Sequence, residues 1–167
     1  MLKNNTRILI IAPTPFFADR GCHTHIAEQT WALQRQGKTA LLVTYGIGRD
    51  VPNITTKRTP QFTWYKKESI GPSWHKFYVD IFLFFTALKA TQQFKPHIIH
   101  SHLHEGCLIG WTLSRIFGIP LVFDCQGSLT GELLAHNFIL AKPKTLRGIW
   151  YFIEKKIDHL PDIILAQ

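Results

Sequence analysis

Apolar and polar positions along this chain follow two rhythms that take turns. Short apolar or β-branched runs recur at Arg7–Ala12 (RILIIA), Thr39–Tyr45 (TALLVTY), His97–His102 (HIIHSH), Pro120–Asp124 (PLVFD) and Ile163–Ala166 (IILA). They lack regular polar alternation, as expected of strands covered on both faces. Helical spacing fills the intervals. Cys22–Gln36 carries Ile26, Ala27, Thr30, Trp31 and Leu33 at that spacing and is closed by Gly37. A helix from Glu105 to about Phe117 sets Leu108, Ile109, Thr112, Leu113 and Ile116 on its buried side and ends at Gly118. Thr145–Leu160 repeats Leu146, Ile149, Ile153, Ile157 and Leu160, and Glu132–Leu140 reads as a short helix. A brief strand is expected around Ile54–Lys57. Strand and helix in alternation predict an α/β fold, a doubly wound, Rossmann-like parallel sheet. The expected order is 3-2-1-4-5-6, with Arg7–Ala12 central.

The stretch from Trp74 to about Phe94 departs from simple amphipathicity. Pro72-Ser73 is its expected entry, with Ser73 as N-cap. One face carries Trp74, Phe77, Tyr78, Ile81, Phe85 and Leu88, and the other Val79, Leu83, Ala87, Ala90 and Phe94. A helix apolar nearly all round is buried on both sides or touches lipid or a partner. The reading preferred here buries the first face beneath segment 46–73. Just ahead of the helix, Trp64, Lys66 and Lys67 join Trp74 and Lys76 in a basic and aromatic cluster suited to an anionic membrane surface.

Composition narrows the classes. The chain has 167 residues, enough for one domain with a real core. Lys and Arg outnumber Asp and Glu by 19 to 11, a net charge of +8, which suits anionic partners. No RNP, helix-turn-helix or zinc-finger pattern accompanies that charge, so nucleic acid is not expected. Three cysteines without CxxC spacing point to a reducing cytosol rather than a disulfide framework. No apolar run is long enough for a signal peptide or a membrane span. The expected location is therefore cytoplasmic, on the inner face of the membrane where the basic cluster engages it.

The loop between Ala12 and Cys22 holds a single glycine, Gly21, ahead of the helix, so the GxGxxG fingerprint of dinucleotide enzymes is missing. Gly46-Ile47-Gly48 precedes Arg49-Asp50-Val51-Pro52, which is no helix start. Gly21 is either a plain turn residue or part of an anion site at the helix N-terminus; the anion site is favoured.

Taken in order, the Gly21 loop, Gly37-Lys38-Thr39-Ala40, the Pro96–His102 strand and Gly118–Gly127 (GIPLVFDCQG) resemble the N-terminal, acceptor-side domain of family 4 retaining glycosyltransferases, which have the two-domain GT-B architecture. Where that family shows Gly-Gly-x-Glu, Arg20 and His23 replace the first Gly and the Glu. His97 stands for the Asp of its Asp-x-x-His-x-His strand, and Gln126 for the His of its GIPLV-x-x-x-His-Gly. The resemblance implies that residues 1–167 are the acceptor-binding half of an enzyme that moves a sugar from a nucleotide-sugar to a glycan, lipid or small-molecule acceptor. It also implies that the donor-gripping C-terminal domain is absent, since the chain stops on a strand read as buried. A partner chain would then supply the missing half, and the isolated chain is expected to be inactive. The alternative is a non-catalytic binding or membrane-recruiting subunit of a split transferase, or a truncated remnant.

Within that resemblance, ligands are expected at the carboxyl ends of the strands. Backbone N–H groups at Gly21 and Cys22 would hold the donor pyrophosphate, with His23 beside them. His102 is expected to contact the reacting sugar or acceptor, because imidazole donates or accepts near neutral pH. Asp124 and Gln126 would orient a hydroxyl. His104, Glu105 and Gly127 complete the expected substrate-binding set, although Glu105 also suits a helix N-terminus. His100, His102 and His104 alternate along the chain and could share a face as metal ligands. No Cys spacing or matched carboxylate accompanies them, so neither metal nor cofactor is expected. His100 reads as a satisfied core histidine, and Cys107 and Cys125 as small buried side chains rather than nucleophiles.

Overall fold

The computed structural model describes residues 5–18, 21–61, 74–135 and 144–166. Expectations for Arg20, Trp64, Lys66, Lys67, the Pro72–Ser73 helix entry and the end of the helix beyond Ala135 lie outside them. So does the side chain of Trp74.

Strands β1 (Arg7–Ala12), β2 (Thr39–Thr44), β3 (Thr56–Arg58), β4 (Ile98–His102), β5 (Leu121–Cys125) and β6 (Ile163–Ala166) form one sheet in the order β3-β2-β1-β4-β5-β6. Every pairing is parallel. The helices are α1 (Gly21–Arg35), α2 (Trp74–Phe94), α3 (Leu103–Phe117), α4 (Leu129–Ala135) and α5 (Lys144–Asp158). The order is the one the alternation predicts, with β1 inside the sheet.

Strand alternation splits the core in two. Ile8, Ile10, Ala12, Ala40 and Leu42 pack with Ile26 and Ala27 of α1. Leu9, Ile11, Val43, Ile99, Leu121 and Phe123 face the other way, against α2, α3 and Ile157 of α5. Parallel register carries this division to the functional strands. Ile10 pairs with His100, and His102 pairs with Asp124, so these polar side chains share the α1 face.

Three packing expectations need correction. On α3 the buried residues are His104, Gly106, Cys107, Ile109, Gly110 and Leu113, while Leu108 and Ile116 are exposed. The helix lies on the sheet through its glycines: a Cβ on Gly110 would stand 2.8 Å from Leu121 Cδ1 and 3.3 Å from Ile99 Cγ2. A count of apolar positions misses a stripe made of hydrogen. On α2, Val79, Leu83, Ala87 and Ala90 are buried as one face, but Phe77, Tyr78, Ile81 and Phe85 are exposed rather than covered. β6 is an edge strand, and its Ile163, Ile164 and Leu165, which point to alternate faces of the sheet, are exposed.

Candidate functional site at the ends of β4 and β5

Between β4 and α3 the chain has no loop. His102 ends the strand as the helix N-cap, and α3 begins at the next residue, Leu103. Leu103 takes φ +60°, a left-handed conformation rare for a branched side chain and often found beside functional sites. The sharp joint leaves His102 on the α1 face and puts His104 against Phe123, with ring centroids 5.4 Å apart, on the opposite face. The two histidines that look adjacent in sequence therefore serve different sides of the sheet.

On the α1 side a polar cluster forms around Asp124, which is fully buried. His25 Nε2 lies 2.8 Å from Asp124 Oδ2, and the Gln29 amide donates to the same oxygen at 2.5 Å. His25 and Gln29 are one turn apart on α1, so one helix face delivers both. The Gln126 amide donates to His102 Nδ1 at 3.0 Å, and that nitrogen stands 3.7 Å from Asp124 Oδ2. His100 stacks on His102 with centroids 4.7 Å apart. Burial pushes His102 well below the ordinary histidine range, and nearby His100 and His25 push the same way. Burial lowers His100 to about 4 against the opposing pull of Asp124. Both rings are therefore neutral near pH 7.

Neutrality fixes the hydrogen-bonding pattern. With Nδ1 accepting from Gln126, the His102 proton sits on Nε2. That N–H is buried and has no acceptor among the described residues. Among the described residues, Asp124 Oδ1, Gln29 Oε1 and Gln126 Oε1 are buried acceptors without donors, and His100 Nε2 also lacks a partner. His100 is thus a core histidine as expected, but not a satisfied one. Each orphaned group costs about 1–3 kcal/mol. A hydroxyl both donates and accepts, so a polyol suits one free donor set among free acceptors. These atoms are closed to solvent in this conformation; the half-exposed side chains at the rim, His25 and Gln126, must turn for a ligand to reach them. His25 and Gln29 also line an open depression of about 580 Å³ with Trp31 and Arg35.

The structure gathers His102, Asp124 and Gln126 of the sequence-predicted residues, with Gly127 exposed beside them. It adds His25 and Gln29, whose i, i+4 spacing on the first helix was the available signal. It does not bring His23 into this cluster. That ring is buried, 2.6 Å from Thr14 Oγ1, and within hydrogen-bond distance of the Ala18 backbone, so it ties α1 to its own entry loop. Gly21 is exposed and Cys22 half-buried at the helix start. Glu105 takes Lys76 Nζ at 2.6 Å; burial raises its carboxyl, but the charge and hydrogen bond of Lys76 outweigh this and hold it below the ordinary value. Cys107 is buried, its thiol pushed up to about 12 by burial and then by Asp158 and Cys125, which leaves it a poor nucleophile. His100, His102 and Asp124 each offer a ligand atom within 4.8 Å of the others, as do His104, Cys125 and Asp158. The carboxylate partners that the sequence leaves unmatched come from β5 and α5.

Residues 20–157 match the model of the Glycosyl transferase 4-like domain. No curated protein matches the chain by sequence. Among solved structures, the fold is similar to that of sucrose-phosphate synthase from Thermosynechococcus elongatus, with TM-score 0.70 and 15% identity over 96% of this chain and 42% of that one. MurG of Acinetobacter baumannii gives TM-score 0.57 and 11% identity, over 96% and 41%. The glycosyltransferase SsfS6 of Streptomyces sp. SF2575 gives 0.51 and 16%, over 97% and 49%. The chain thus spans less than half the length of each, and at these identities the likeness is one of fold, that of one Rossmann-like half of a GT-B enzyme. With the family match running from the approach to α1 through nearly all of α5, the chain belongs to the glycosyl transferase 4-like domain family.

Proposed function

We propose that this domain is the acceptor-binding half of a glycosyltransferase that moves a sugar from a nucleotide-sugar donor to a glycan, lipid or small-molecule acceptor. The observation that carries the reading is the cluster at the ends of β4 and β5. There the buried N–H of His102 and acceptors of Asp124, Gln29 and Gln126 have no hydrogen-bond partner among the described residues, which supports a role in binding a hydroxyl. His102 and Asp124 are the residues assigned to the reacting groups. Gln126 orients His102, and His25 and Gln29 hold Asp124. Gly21 and Cys22 at the start of α1 offer backbone N–H groups to the donor phosphates. His104 and Glu105 stand outside the hydroxyl set, and Gly127 frames its rim.

A helix N-terminus stabilises an anion by ~0.3–1 kcal/mol when exposed and up to ~2 kcal/mol when partly buried. Enzymes typically lower barriers by ~8 kcal/mol or more. Residues 1–167 alone therefore lack the charge stabilisation that sugar transfer needs, and a donor-binding half, in cis or as a partner chain, supplies it. The test is sugar transfer from a panel of nucleotide-sugars with and without such a half. Activity should appear only with it, and His102→Ala should lower turnover far more than His100→Ala. Robust transfer by the purified 167-residue chain alone overturns the reading. A second reading, a non-catalytic membrane-recruiting subunit, draws on the exposed aromatic face of α2. It predicts vesicle binding but no gain of activity with any donor half.

A further inference from the structure

Alternation along β5 sends Asp124 towards α1 and its neighbour Cys125 to the opposite face, where α3 and α5 pack. There a His104 ring nitrogen, the Cys125 sulfur and an Asp158 carboxylate oxygen all lie within 4.8 Å of one another. His104 Nε2 and Asp158 Oδ1 are 3.5 Å apart. Both atoms are buried and neither has a hydrogen-bond partner among the described residues. His104 is 6% exposed, and its ring is fixed against Phe123. We propose that His104, Cys125 and Asp158 bind one divalent metal ion of the zinc class, with a solvent molecule or an incoming group as the fourth ligand.

The donor set selects the ion. A thiolate beside an imidazole favours zinc or cobalt over magnesium or calcium, which prefer oxygen alone. One thiolate and one carboxylate balance a divalent charge, so the loaded half-buried site carries no net charge. Tetrahedral bonds of about 2.0–2.3 Å place ligand atoms about 3.3–3.8 Å apart. The His104–Asp158 edge already meets that spacing, and a contraction of about 1 Å from the 4.8 Å limit closes the sulfur edges. Before loading, the Cys125 thiol donates to the Gly127 carbonyl at 3.6 Å. On loading, the metal replaces the thiol proton, which leaves to solvent. The ion would tie together the end of β5, the first turn of α3 and the last turn of α5. It would use none of the side chains of the His102–Asp124 cluster.

The experiment titrates the untagged, chelator-stripped chain with Zn²⁺ or Co²⁺ alone. One equivalent should bind, the cobalt form should show a near-ultraviolet sulfur-to-cobalt charge-transfer band, and zinc should raise the thermal midpoint. Cys125→Ser should abolish the band, and Asp158→Asn should weaken binding by at least ~10-fold, the loss that even outer-shell changes cause. His100→Gln should leave both unchanged. Circular dichroism checks that each variant is folded; should Asp158→Asn not fold, Cys125→Ser decides. Absence of binding by the folded chain, a band that survives Cys125→Ser, or binding lost in His100→Gln but kept in Cys125→Ser overturns the assignment.

Discussion

Two titrating groups, the buried His100 and the half-buried Asp80, have opposite effects on stability with pH. His100 titrates at about 4 in the folded chain against 6.5 unfolded. The unfolded state therefore takes up a proton first, so stability is full above about pH 6.5 and falls as the pH drops towards 4, by roughly 3 kcal/mol. Asp80 runs the other way. Burial raises its carboxyl from 3.8 to about 7, despite the opposing hydrogen bond from Tyr45, whose hydroxyl donates to it at 2.5 Å. The unfolded chain loses this proton near pH 4 while the folded chain keeps it to about 7. Stability is thus lost as the pH rises through that window, by an upper bound of roughly 4 kcal/mol. Asp80→Asn should stabilise the domain increasingly from pH 4 to 7 and level off above. His100→Gln should flatten the acid-side loss instead. Denaturant midpoints measured from pH 4 to 8 for both variants check the two signs, and a loss that neither variant moves contradicts them.

At the scale of elements, α3 carries the heaviest constraints. Gly118 ends it at φ +64°, its N–H on the Ser114 carbonyl, with open space where a Cβ would go. Gly118→Ala should therefore cost about 1 kcal/mol, all of it backbone. Gly110→Ala meets Leu121 and Ile99 instead and must lift the helix or shift the sheet, at about 1–3 kcal/mol. Equilibrium unfolding of the pair should rank Gly110→Ala as the costlier, and equal losses would show that the helix has room to move. The same helix starts at the strained Leu103 joint, so lifting it should also disturb His102. Loss of the His102 to Gln126 hydrogen bond in Gly110→Ala, followed through the imidazole resonances, is the corresponding readout.

For the whole molecule, the unusual surface is α2. Phe77, Tyr78 and Phe85 are each more than half exposed, a concentration of aromatic area that soluble surfaces seldom carry without a partner. Lys76, one turn before Asp80, is held by Glu105, so its charge is partly spent within the fold. No described helix is long and apolar enough to cross a membrane. Association with an anionic lipid surface is thus expected to lean on the α2 aromatics, with each free lysine near the surface adding about 1 kcal/mol. Flotation with vesicles containing anionic lipid should show binding that weakens with salt and falls sharply in Phe77→Ser/Phe85→Ser. Equal binding to neutral vesicles, or none to either, counts against it.

The sequence by itself determined the element order, the sheet topology and the family, because these rest on local periods and on the short right-handed connections that parallel strands require. It also singled out His102, Asp124 and Gln126 at the carboxyl ends of two strands, and the parallel register of β4 and β5 makes them neighbours. Tertiary structure alone decided the rest. His104 lies two residues from His102, yet one left-handed residue puts it across the sheet, and no spacing rule encodes that turn. His25 and Gln29 look like an ordinary polar helix face until β5 sets Asp124 against them, 95 or more positions along the chain. Asp158, from the end of α5, becomes the carboxylate facing His104 in the same way. The buried stripe of α3 was hidden because glycine has no side chain to count, and how far α2 and β6 are covered depends on which elements pack over them, which local spacing does not encode. Local rhythm fixes where chain segments become strands or helices; which side chains meet depends on register and alternation summed over the whole sheet.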